Sequence, residues 1–355
     1  TRYGSSAASD VYKRQGTGTT SVGAIGAGTE IGAVSIGSAE NGGITLNGAI
    51  TTTGVIDLDG PITLAGATTL DSSGGNANIF FRHAVDGGQT LTVSSGSGAV
   101  DFAGIIGGTT ALGDTTINAS GTGTIAIAAI GDANDVGAIV GTTAIGNTST
   151  AGITFDGTIY KFGNPAGGSD TVTITATGTG QVIDFTGGAV AVESFGGNAA
   201  TAGNAITFAT GTIDLDNGSN LTINSNGGAI TVAAIRGDSS ETVTINADKS
   251  AGDASTTETI SIGAIGNADE IGAITLDGAD GITLSGAITT SNAAGSNVDL
   301  NGPVIISGAV DIDTDTGGSD GTIDFSSTIV GDGNGATTDN LTICLLYTSD
   351  AADEP

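Results

Sequence analysis

"GITLNGAITTTGVIDLDGPITLAGATTLDS", from Gly43 to Ser72, decides the fold. Its unit is an apolar residue, one polar residue, a second apolar residue, then a turn residue. Ile44-Thr45-Leu46, Ile56-Asp57-Leu58 and Ile62-Thr63-Leu64 are three copies in twenty-one residues. Alternation with period two places the two apolar side chains on one side of an extended strand and the polar one on the other. The unit recurs along the chain, as in "LTV" from Leu91, "VDF" from Val100, "ITF" from Ile153, "IDF" from Ile183, "LTI" from Leu221 and "IDF" from Ile323. The middle residue is mostly Thr or Asp. Gly, Asn or Asp follows within a few residues, and these residues tolerate the positive φ of tight corners.

A longer repeat lies over the short one. "VGAIGAGTEIGAVSI" from Val22 returns as "IGAIGNADEIGAITL" from Ile262, and "AIGDANDVGAI" from Ala129 is a partial third copy. "GITLNGAITTTG" from Gly43 matches "GITLSGAITTSN" from Gly281, and "GPITLAGATTLDS" from Gly60 matches "GPVIISGAVDIDT" from Gly302. The two long copies cover residues 22–93 and 262–343. Their offset drifts through 240, 238, 242 and 244 residues while the triplets stay intact, so changes of length fall in the turns. Stacked-repeat architectures tolerate this, because an insertion bulges from a corner without breaking the stack.

Two architectures supply many short strands. Turn signals every 8–12 residues also suit antiparallel sandwiches. A tandem of such sandwiches is the alternative reading, with the long repeat as its domain period. An all-β parallel β-solenoid, expected as a right-handed β-helix, is the preferred reading. The pattern persists for more than 300 residues without a shift in composition, and no Trp is available as a sandwich core anchor. The expectation is a coil of about 20 residues, hence about 16 turns and a rod on the order of 80 Å, with aliphatic pairs inside and Thr or Asp outside.

The ends read differently. Residues 5–15, "SSAASDVYKRQ", are what a transposase mosaic end and its adaptor arm encode, and residues 344–354, "CLLYTSDAADE", are what the reverse complement encodes. Residues 1–15 and 344–355 are therefore expected to be translated sequencing adaptor, with residues 16–343 as one solenoid segment. That segment holds 4 cations (Arg82, Lys161, Arg236 and Lys249) against 33 acids. So acidic a surface repels phosphate backbones and anionic headgroups, so neither nucleic acid nor a membrane is an expected partner. No apolar run approaches the roughly 20 residues of a membrane helix. The segment has no cysteine, so neither a disulfide framework nor a thiolate metal site is expected.

Few residues invite chemistry. His83 is the only histidine, which argues against a histidine metal centre. It is expected to lie outward or in a turn. "GGSDG" from Gly317 has the GxSxG spacing but lacks the strand-to-helix context of a nucleophile elbow. Asp311, Asp313 and Asp315 have the first spacings of a calcium loop. Thr316 and Thr322 stand where that loop needs Gly and Glu, so loose Ca²⁺ binding is the most these three aspartates would support. No catalytic or cofactor-binding residue is assigned, and no enzyme activity is expected.

The stretches "VDGGQTLTVSSGSGAVDFAGIIGGTTALGDTTINASGTG", residues 85–123, and "GTIDFSSTIVGDGNGATTDNLTI", residues 321–343, resemble repeats of large bacterial surface adhesins related to filamentous haemagglutinin. The resemblance implies an exported, extracellular or cell-surface β-helical stalk that takes part in cell adhesion or biofilm. It also implies an outer-membrane secretion partner, with a host cell, a neighbouring cell or extracellular polysaccharide held through regions outside this segment. Two other expectations come from the residues. Outward Thr ladders would make a carbohydrate- or ice-binding face. A carbohydrate-active enzyme would instead need clustered Asp beside one of the four cations.

Overall fold

A computed structural model of the chain describes residues 18–344 apart from 38–41, 133–137, 164–169, 177–181, 195–202, 217, 239, 250–256, 268, 292–294, 315–320 and 335–337. Among the described residues there is no helix, and every strand pairing is parallel. Tandem antiparallel sandwiches are therefore excluded, and the chain is a parallel β-solenoid.

Each coil visits three faces in turn. The first coil does so at Thr20–Val22, at Ile25 and at Val34–Gly37. Each of these strands pairs with its counterpart one coil later, so every face is a ladder running along the axis. On the third face one inward position passes through Val34, Ile56, Ile79, Val100, Ile125, Ile153, Ile183, Ile213, Ile235, Ile265, Ile288, Ile312 and Ile343. These thirteen rungs are all β-branched, which suits stiff side chains packed on a pleated surface. All are buried except Ile343, which is 43% exposed on the last described rung.

Successive rungs lie 21 to 31 residues apart. The coil is thus longer than the 20 residues expected, and the described residues form thirteen rungs on this face rather than about sixteen. A coil must carry one strand and one corner on each of three faces, and a triplet recurs only every eight to ten residues. At about 4.8 Å per rung, the described stack is roughly 60 Å long. The variable part of each coil lies between strands, where no ladder partner fixes its length.

The core contains two features that strand alternation does not show. The position next to the isoleucine column carries Phe81, Phe102, Phe155 and Phe185. The rings of Phe81 and Phe102 stack at 4.1 Å, and those of Phe155 and Phe185 at 4.9 Å. Rung spacing is close to a stacking distance, so equal rings in equal register lie face to face. These four Phe residues therefore share one column of the third face. On the second face Thr68, Thr115 and Thr143 point inward. Their hydroxyls donate to the carbonyls of Gly66, Gly113 and Gly141 at 3.0, 3.1 and 3.3 Å, so no hydroxyl proton of theirs is stranded inside.

Candidate functional site

Among the described residues the interior is mostly aliphatic and aromatic, so the positions that can meet a ligand are the outward ones. These differ by face. On the second face the central outward rank runs Thr69, Thr92, Thr116, Ala144, Thr173, Thr207, Thr231, Ser261 and Thr283. Eight of these nine consecutive rungs present a hydroxyl, and each is half-buried by its neighbours above and below. No side-chain hydrogen bond to the described residues engages any of these hydroxyls, in contrast to the inward threonines of the same face.

The third face carries charge instead. Its central rank includes Asp57, Asp101, Asp184 and Asp214, followed by Arg236. Arg236 Nη2 lies 2.5 Å from Asp214 Oδ2, on the coil before it. Arg82 Nε lies 2.9 Å from Asp57 Oδ1 with its guanidinium over the Phe80 ring, and His83 Nε2 lies 3.3 Å from Asp59 Oδ1. The first face is mixed, with Thr222, Thr244 and Thr275 in register and then Asp299 and Asp324.

The expected site residues fall as follows. Asp311 and Asp313 point outward from Ala309–Asp313, flanking the inward Ile312, while Asp315 lies outside the described residues. Cys344 closes the last strand opposite Asp313, with its Sγ 3.7 Å from Asp311 Oδ1. The rest of the two end stretches, and Gly317 to Asp320 of the GxSxG match, lie outside the described residues. Among the described residues no three His, Cys, Asp or Glu side chains converge as a metal site would require. His83 is half-exposed beside Asp59, as an outward residue should be. Arg82, Lys161 and Arg236 each meet an acid one coil away (Asp57, Glu193 and Asp214) and stand three coils apart along the axis.

Among the carboxylates shifted by their surroundings, Asp184 and Glu241 move in opposite directions. Partial burial pushes the Asp184 carboxyl up to about 6. Asp214 and Asp216 add to the rise, and Arg236 opposes it. Its folded pKa therefore exceeds the unfolded one. Between the ordinary aspartate range and about pH 6 the folded state holds the extra proton, and this contribution to stability is lost as pH rises through that window. NMR titration of the Asp184 carboxyl carbon should give a midpoint near 6, and Asp214→Asn should lower it. A midpoint unmoved by that substitution would mean that Asp214 is not a source of the shift.

Glu241 is the opposite case. It is fully buried, and its oxygens accept the N–H groups of Gly218, Asp238 and Ser240 at 3.1, 2.6 and 3.1 Å. Burial alone would raise this carboxyl, but the backbone donors outweigh it and hold it below the usual glutamate range. Its role is to knit two corners together, which the sequence did not signal. Compared with family models, curated proteins and solved structures, the chain matches none.

Proposed function

We propose that this segment is the structural stalk of a secreted or surface-anchored adhesin. One observation carries the reading: thirteen rungs stack in register with coil lengths that vary by ten residues. In such a stack each coil contacts only its neighbours, so length can be added or removed without remaking a core. That property suits a spacer, whose task is reach. The resemblance of residues 85–123 and 321–343 to surface-adhesin repeats supports the same assignment. A net charge of −30 also suits a spacer that must stay extended beside other acidic surfaces.

The test is display between a membrane anchor and a peptide epitope on a bacterial surface. Removing whole coils in register should keep the epitope presented and lower its height by roughly 4.8 Å per coil. Beads coated with residues 16–343 alone should adhere to cells no better than beads coated with an unrelated acidic protein. Strong cell adhesion by the segment alone would overturn the stalk assignment.

A further inference from the structure

The geometry points to a second role, beyond that of a spacer: the hydroxyl rank of the second face binds ice. The rank is periodic in the way a crystal is periodic. Rungs repeat at about 4.8 Å along the axis, and the next outward position along each strand lies about 6.6 Å away. That neighbouring position holds Thr90, Thr142, Thr171 and Thr259 on four rungs and Ala or Gly on most others. The central rank and most of this neighbouring rank therefore form a two-dimensional array of small groups, nearly all carrying a methyl or a hydroxyl.

Three further observations narrow the partner. First, the hydroxyls of the central rank bond to no described residue, whereas the inward Thr68, Thr115 and Thr143 are engaged by carbonyls. Their hydrogen-bonding capacity is directed to water. Second, threonine is stiff about χ1 in a strand, and rungs on both sides hold each side chain, so the array is set before any partner arrives. Third, the central rank is neutral in a chain of net charge −30, although Asp71 and Asp114 stand in the ranks beside it. Asp114 turns to accept the Thr142 N–H at 2.9 Å.

These features exclude most partners. An ionic ligand finds no counter-charge on the rank. A sugar chain would need ring platforms or convergent polar groups, and the rank has no aromatic ring. A partner that meets eight hydroxyls over nine evenly stacked rungs must itself repeat at the rung spacing. Water held between hydroxyl and methyl groups does so once it is crystalline. Each water-mediated contact is modest, and the whole face counts because the contacts form together.

The experiment uses the full chain in dilute buffer with a slowly growing ice front. The protein is expected to partition into the ice and to open a gap between melting and freezing temperatures. Thr173→Lys combined with Thr207→Lys, at the centre of the rank, should abolish both effects. Thr222→Lys combined with Thr244→Lys on the first face should leave them unchanged. Circular dichroism and the melting transition check that each variant keeps its fold. Exclusion of the unaltered protein from ice, or equal losses from the two pairs, would overturn the inference. Retention on an insoluble neutral glucan without ice affinity would overturn it in favour of a sugar surface. None of these results bears on the display test, so this inference and the stalk assignment can fail separately.

Discussion

Phe185→Ala is expected to lower stability by about 3–5 kcal/mol, the range for removing a fully buried ring. Phe185 is completely buried at the centre of an aromatic group. Its ring stacks on Phe155 at 4.9 Å and meets Tyr160 at 6.1 Å and Phe208 at 6.3 Å, both edge-on. The void left by alanine cannot close easily. Its roof and floor are neighbouring coils whose spacing is fixed by backbone hydrogen bonds on three faces, so the loss should fall at the upper end of the range. It should also be local. Rungs interact with nearest neighbours, so amide exchange should quicken around Ile153, Ile183 and Ile213 and stay slow around Ile56 and Ile79. Phe185→Leu is expected to cost much less, because the same column already takes Leu215 on the next rung. Exchange accelerated equally along the whole rod would mean that the coils melt as one unit.

That column also shows where the sequence was legible and where it was not. Alternation in "IDF" from Ile183 or "ITL" from Ile44 fixed which residues face inward, and those residues are buried. Strand type and inward face depend only on neighbours two residues away, so a single chain displays them. Which face of the coil a triplet occupies depends on the partner 18 to 34 residues distant. Uneven corner lengths hide that phase. Hence the stacking of Phe81 on Phe102 and of Phe155 on Phe185 was hidden, and Thr92 and Asp101 read alike as middle residues although they stand on different faces. One signal was available. Counting triplets in threes puts "IFF" from Ile79, "VDF" from Val100, "ITF" from Ile153 and "IDF" from Ile183 in one class and "LTV" from Leu91 in another. The Glu241 nest could not be found this way, because its donors come from corner backbones.

Gly266→Ala is the second large effect, expected to cost at least about 3 kcal/mol, and it explains a motif. Ala-Ile-Gly occurs at Gly26, Gly131, Gly146 and Gly266, each time after an inward isoleucine, with φ of 74°, 73°, 75° and 70°. The chain must turn off the face at that point, and the left-handed backbone does so at a cost of about 1–2 kcal/mol for any residue with a Cβ. A second cost is specific to the stack. The N–H of Gly266 donates to Ile235 O on the coil before at 2.9 Å, as Gly131 does to Ile106 and Gly146 to Ile117. A methyl on Gly266 would press on the backbone carbonyl of Thr289 on the coil after. Neither neighbour can retreat without breaking ladder bonds. Gly188 provides the comparison, since its φ is also positive, 82°, but no atom lies within reach of an added methyl. Gly188→Ala should therefore cost only about 1–2 kcal/mol, the conformational part alone. Urea unfolding of the two variants separates the contributions. If the losses match, backbone conformation alone selects glycine at these corners; if Gly266→Ala loses clearly more, the closeness of the next coil selects it too, and the Ala-Ile-Gly motif marks where coils press together.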